Sequence, residues 1–135
     1  MATSKASKDT IVSLMRANLL GVFNERNPSG RKATIATTYA EDVLFHEPDT
    51  SVRGHDEVNR ISGEILDKSP GWVFKPDGPV TVSHNLGMLR WGFGPEGEKP
   101  VVQGCDIAEI EDGRIKVLHV MIVGPSTVEL AWAIF

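Results

Sequence analysis

The chain has 135 residues, 41% hydrophobic and 24% charged, with a formal net charge of -4. This is the make-up of one globular domain with a proper core; it excludes disorder, and a pI near 5.5 with no basic stripe speaks against a nucleic-acid partner. The one cysteine, Cys105, allows no internal disulfide and fits a reducing, cytoplasmic setting. No apolar run reaches the roughly 20 residues of a spanning helix, and MATSKASKD has no signal-peptide core, so no membrane partner is expected.

Residues 1–9 read as a flexible N-terminal tail. Asp9 or Thr10 can cap a first helix, whose apolar stripe Ile11, Leu14, Met15, Leu19, Val22 and Phe23 recurs at spacings of three and four. Asn27-Pro28-Ser29-Gly30 breaks it, and Arg31 to Tyr39 reads as a short second helix. Val43 to Glu47 is a strand, followed by a loop at Pro48-Asp49-Thr50-Ser51. Asp56 is the expected N-cap of a third helix with the buried stripe Val58, Ile61, Ile65 and Leu66, ended by Lys68-Ser69-Pro70-Gly71. Strands follow: Trp72 to Lys75 and Val80 to Ser83 around Pro76-Asp77-Gly78-Pro79, then Leu86 to Phe93, Val101 to Glu111 and Ile115 to Val123. Asp112-Gly113 is a two-residue hairpin turn. Three helices and then a run of strands spell an α+β fold, the helices packed on one face of a curved, mostly antiparallel sheet. The apolar stretch 124–135, ending VELAWAIF, is expected to dock on its own domain or a partner subunit, or to lid a pocket.

A strand's period of two places Phe45 and Glu47 on one face. A carboxylate beside a phenylalanine on a buried face is costly, and burial raises its pKa, which suits a proton shuttle near neutral pH. The plain alternative is an exposed strand-end glutamate or a partner of Arg53. Asp106 shares a face with Ala108 and Ile110, but Cys105 and Ile107 opposite are apolar too, so alternation leaves it unplaced. Leu89, Trp91 and Phe93 share one strand face; Leu118, Val120 and Ile122 share another. With Trp72 and Phe74, and with Phe23, Phe45 and Ile65, they would either line an apolar cavity for a hydrophobic ring compound or fill a core. His46 and His119 fall on the faces opposite Glu47 and Leu118, at a subunit interface or in solvent. His55 and His84 lie at turns. No two histidines have metal-ligand spacing, so neither a metal nor another cofactor is expected.

The order of elements, with YAEDVLFHEP, VRGHDEVNRI and GCDIAEIEDGRIKVL, resembles the nuclear transport factor 2-like superfamily over about residues 10–123. This is the superfamily of ketosteroid isomerases and SnoaL-like polyketide cyclases. The resemblance implies a cone-shaped barrel and a homodimer. The general base of the ketosteroid isomerases precedes a proline at the end of the first strand, a position matched by Glu47 before Pro48. Their oxyanion-hole aspartate, on the strand before the final hairpin, is matched by Asp106. Their oxyanion tyrosine would fall near Leu19 and is missing. The reaction implied is a cofactor-independent isomerisation, cyclisation or dehydration by proton transfer next to a carbonyl of a polyketide, terpenoid or steroid. In it Glu47 takes the proton and Asp106 steadies the oxygen. The alternative is a non-catalytic small-molecule-binding or dimerisation module of the same fold.

Overall fold

The computed structural model describes residues 6–124; the first residues and the apolar stretch beyond Gly124, with the docking expected of it, lie outside the described part. Ser7, not Asp9 or Thr10, caps α1 (Lys8–Arg16): its hydroxyl oxygen accepts from the Thr10 amide at 3.1 Å. Asp9 falls instead in the first turn, where its charge suits the positive end of the helix. The helix runs on as a π-helical turn, Ala17–Val22, in which the Phe23 amide reaches back five residues to the Asn18 carbonyl at 3.2 Å.

Asn27-Pro28, read as a breaker, is also a start. The Asn27 side chain accepts from the amides of Ser29 and Gly30, and Pro28 takes the first position of α2 (Pro28–Thr38), where a missing N–H costs nothing. The third helix, α3 (His55–Lys68), begins before Asp56. Gly54 stands at its N-cap with φ 94 and offers no side-chain cap, while Asp56 and Glu57 occupy the first turn.

The strands are β1 (Tyr39–His46), β2 (Ser51–Arg53), β3 (Trp72–Pro76), β4 (Thr81–Ser83), β5 (Leu86–Pro95), β6 (Val102–Glu111) and β7 (Arg114–Gly124). They form one sheet in the order β2-β1-β7-β6-β5-β3, with β4 also on β5. The β1–β7 pair is parallel and the other pairs are antiparallel. Of the three residues of β2, Ser51 was expected as loop and Val52 and Arg53 in no element; they are too few for a period of two to register in the sequence. At the β6–β7 turn both Asp112 (φ 52) and Gly113 (φ 73) have positive φ, as a type I′ hairpin requires.

All three helices pack on one face of the sheet: α1 against β4, β5 and β6, α2 against β1 and β7, and α3 against β1 and β2. The core between the layers is apolar on both sides, with Ile11, Met15, Leu19, Ile35 and Ile65 above and Phe45, Leu89, Phe93, Ala108 and Leu118 below. On the opposite sheet face, among the described residues, Leu86, Met121 and Val123 are each more than two-fifths exposed.

Candidate active site

Asp106 is the one acidic side chain taken fully into the core among the described residues, at 3% exposure. Alternation along β6 turns it to the helix-covered face, opposite Leu89 on β5 and Val120 on β7. Its two oxygens are held separately. Trp91 Nε1 donates to Oδ1 at 2.9 Å, and Asn18 Nδ2 donates to Oδ2 at 2.9 Å. The Tyr39 hydroxyl donates in turn to Asn18 Oδ1. Asn18 and Tyr39 are themselves buried, at 0% and 1% exposure.

Each support has a local cause. Trp91 pairs across the strands with Gly104, and a Cβ at position 104 would lie 2.2 Å from Trp91 Cζ2. The indole therefore lies flat over the β6 backbone, with its N–H directed at the residue two places along. Asn18 is at the inner face because it follows Leu14 by four residues on the buried side of the helix, at the start of the π-helical turn, and Tyr39 is placed where α2 ends and β1 begins.

Burial pushes the Asp106 pKa up to about 7, with the hydrogen bonds from Trp91 and Asn18 opposing that rise. Burial, and then the nearby Asp106 charge, raise the Tyr39 phenol well above its usual value, so it remains a donor.

The carboxyl lines a cavity with Leu19, Phe23, Phe74, Trp91 and Val120. Water centres can occupy about 10 Å³ of it, room for roughly one molecule. Phe74 packs edge-on against Phe23 and Trp91, at 5.8 and 5.1 Å between ring centroids. The Asn24 side chain bonds both backbone groups of Phe74, at 2.8 and 2.7 Å, and so fixes that strand beside the cavity.

Of the wall residues expected from sequence, Phe23, Phe74, Trp91 and Val120 meet Asp106 in this cavity. Phe45 stacks behind Phe23, Phe93 behind Phe74, and Trp72 stands edge-on to Phe93. Leu89 and Leu118 are core, and Ile122 is half-buried toward the end of β7. Glu47 and Ile65 go elsewhere. They line a depression of about 250 Å³ with Thr50, Arg60, Ile61, Glu64 and Lys68, between the β1–β2 turn and α3. The strand ends at His46; the Glu47 amide bonds the Thr50 carbonyl at 2.8 Å, and the Thr50 hydroxyl donates to Glu47 Oε1 at 2.9 Å. Partial burial raises the Glu47 pKa, while Thr50 and Arg60 oppose it. The two acids thus line different cavities.

His46 and His119 are cross-strand partners on the outer face, their rings stacked at 4.5 Å, with Ser51 Oγ 2.6 Å from His46 Nδ1. Among the described residues no group of three or more His, Cys, Asp or Glu side chains could hold a metal ion.

Sequence reasoning missed Asn18 and Tyr39. A signal for the first existed: Asn18 stands four after Leu14 and four before Val22, a polar residue inside the apolar stripe.

A crystal structure of a candidate isomerase of the SnoaL-like family from Agrobacterium tumefaciens is similar over 86% of this chain and 99% of that one. Its identity is 19% and its TM-score 0.79. A candidate SnoaL-like polyketide cyclase from Jannaschia sp. is similar over 97% and 96%, at 13% identity and a TM-score of 0.72. A de novo designed protein with a curved β-sheet also matches, over 96% and 97%, at 14% identity and a TM-score of 0.72. Identities this low show a shared fold and leave the reaction open. None of the curated proteins matches the chain. Residues 18–118 match the SnoaL-like domain, and the chain belongs to that family, within the nuclear transport factor 2-like fold.

Proposed function

We propose that this protein is a cofactor-independent enzyme that moves a proton at a carbon next to a carbonyl of a hydrophobic ring compound, with Asp106 as the proton carrier. One observation carries the reading: a carboxyl group buried in an apolar cavity, its pKa raised close to neutrality. An acid of that pKa is part-loaded at pH 7 and can both take and return a proton.

Each Asp106 oxygen accepts one hydrogen bond, so each keeps a lone pair for substrate. The ionised carboxylate removes the proton, and the C–H electron pair passes onto the carbonyl oxygen as an enolate. In an isomerisation Asp106 returns the proton to another carbon of the conjugated system. In a cyclisation the enolate carbon attacks a second carbonyl of the same molecule, and the Asp106 proton goes to the alkoxide so formed. A dehydration would follow if Asp106 took a second proton from the carbon next to the carbonyl and gave it to the hydroxyl, which leaves as water as the carbon–carbon double bond forms. The side chains facing Asp106 across the cavity are apolar, so a substrate that spreads charge over its own conjugated carbonyls, of polyketide type, suits the site better than an isolated ketone. The names borne by the similar isomerase and cyclase candidates support the class.

Admission of a ring requires Phe23 and Phe74 to turn aside, because the cavity has room for only about one water. That tightness favours a second reading, a non-catalytic module in which Asp106 is a structural polar contact. In the catalytic reading Glu47, in its own depression, is not the base. We also take the protein as a homodimer, with a second copy over the outer sheet face.

The deciding experiment follows deuterium uptake from heavy water into a panel of conjugated ring ketones. Asp106→Asn should lower the enzymatic rate by about 100-fold or more, the usual scale of general base catalysis. Glu47→Gln should stay close to the parent. Equal rates in the parent and Asp106→Asn would leave the binding module as the better description.

A further inference from the structure

We propose that Tyr39 is a positioning residue: its hydroxyl sets which way round the Asn18 amide lies, and so which hydrogen-bonding edge Asp106 meets. An amide side chain is nearly symmetrical in shape, and its neighbours decide its orientation. Asn18 has a neighbour on each side, the Tyr39 hydroxyl at its oxygen and Asp106 Oδ2 at its nitrogen.

Turning the amide over would have two effects. Its oxygen would face an ionised Asp106, acceptor against acceptor. Its N–H would point at the phenol oxygen, leaving the phenol proton buried without an acceptor. The first penalty vanishes if Asp106 is protonated, since its O–H can then donate to the turned amide. The second does not vanish. Tyr39 therefore holds the amide in the orientation that serves the charged carboxylate. Without the hydroxyl, the turned amide and the neutral acid become a comfortable pair.

The placement of Tyr39 supports this role. Its backbone is fixed at the α2–β1 junction, where its amide bonds the Ile35 carbonyl and its carbonyl lies 2.9 Å from His55 Nε2. The phenol thus reaches Asn18 from a part of the chain independent of α1. Among the described residues, the titratable groups raised by the Asp106 charge are Tyr39 itself and Cys105 on the same strand. Among the described residues, the groups that set the Asp106 titration besides burial are the neutral donors Trp91 and Asn18.

The inference rests on the proton-carrying role of Asp106 only for its kinetic readout; the titration itself needs no substrate. Carbon-13 NMR of the aspartate carboxyl groups follows Asp106 directly. Tyr39→Phe should raise its midpoint by about one pH unit. In the exchange assay the rate–pH profile should move by the same amount, with KM little changed. Asn18→Leu should also raise the midpoint, and adding Tyr39→Phe to it should do nothing more. In the unmodified protein, the Asn18 side-chain amide signals should shift with the Asp106 midpoint. An unmoved midpoint in folded Tyr39→Phe, additive shifts in the double variant, or Asn18 signals blind to Asp106 would each overturn the proposal. Should no ketone exchange in any variant, the reaction reading fails and the titrations alone decide the role of Tyr39.

Discussion

Gly104→Ala is a one-methyl change with a large expected effect. The added carbon would stand 2.2, 2.5 and 2.6 Å from Cζ2, Cη2 and Cε2 of Trp91. Ordinary carbon contact is about 3.5–4.0 Å, so the indole must retreat by more than about 1 Å. It has little room to do so: Trp91 is 2% exposed and Phe74 packs against it edge-on. Overpacking of this kind costs about 1–3 kcal/mol. Loss of the Trp91 bond to a charged Asp106 adds about 1.5–3 kcal/mol. The sum expected is about 2.5–6 kcal/mol, read from urea unfolding at pH 8 with an unchanged dependence on denaturant. The cause can be isolated in a Trp91→Phe background. A phenyl ring lacks the benzo atoms the methyl would strike, so Gly104→Ala should there cost less than about 1 kcal/mol. The same cost in both backgrounds, or a cost below about 0.5 kcal/mol in the parent, would refute the reasoning.

Asp106 also makes stability depend on pH. Folded, it keeps its proton up to about pH 7; unfolded, it releases it near the ordinary aspartate value of about 3.9. The native state binds more protons between those values, so this contribution is full at low pH and is lost as pH rises through 7. Unfolding free energies of Asp106→Asn and the parent should diverge in the variant's favour from pH 4 to pH 8, on the order of a few kcal/mol; a constant difference would count against a raised native pKa. Asn24→Ala should cost about 1–3 kcal/mol by orphaning both backbone groups of Phe74, and hydrogen exchange at the Phe74 amide should rise with it. Met121→Glu, on the outer sheet face, should lower the sedimenting mass from dimer to monomer while leaving the fold intact; a parent that sediments as a monomer removes the homodimer.

The layered architecture was legible because its signals are periodic and repeated. The apolar stripe of α1, that of α3, and the Asp112-Gly113 turn each stand out against polar surroundings. Helix starts were less legible, since Ser7, Asp9 and Thr10 all have capping side chains and only the backbone path chooses among them. Alternation could not place Asp106 because the outer face of β6 carries Cys105 and Ile107, which are as apolar as the core face. The resemblance indicated Asp106, and the structure shows it among buried partners. Glu47 keeps the parity of the inner face, but the strand stops one residue short of it and Thr50 holds it in the turn. Tyr39 had no local signal at all, since its partner lies 21 residues away in sequence. Trp91 was expected as wall; its seat on Gly104 depends on strand register, which a single sequence does not display.

The π-helical turn at Ala17–Val22 has an evolutionary corollary. Such a turn holds one residue more than an α-helical path over the same length. Removing one codon between Asn18 and Phe23 would restore ordinary winding and swing α1 by roughly 100° relative to the chain after Phe23. Asn18 shares its face with Leu14 and Met15, so the amide and the apolar stripe of α1 would turn from the interior together, and Asp106 would lose a donor. The extra residue thus ties the inner polar cluster to the seating of α1, and the length of this segment is constrained by both at once.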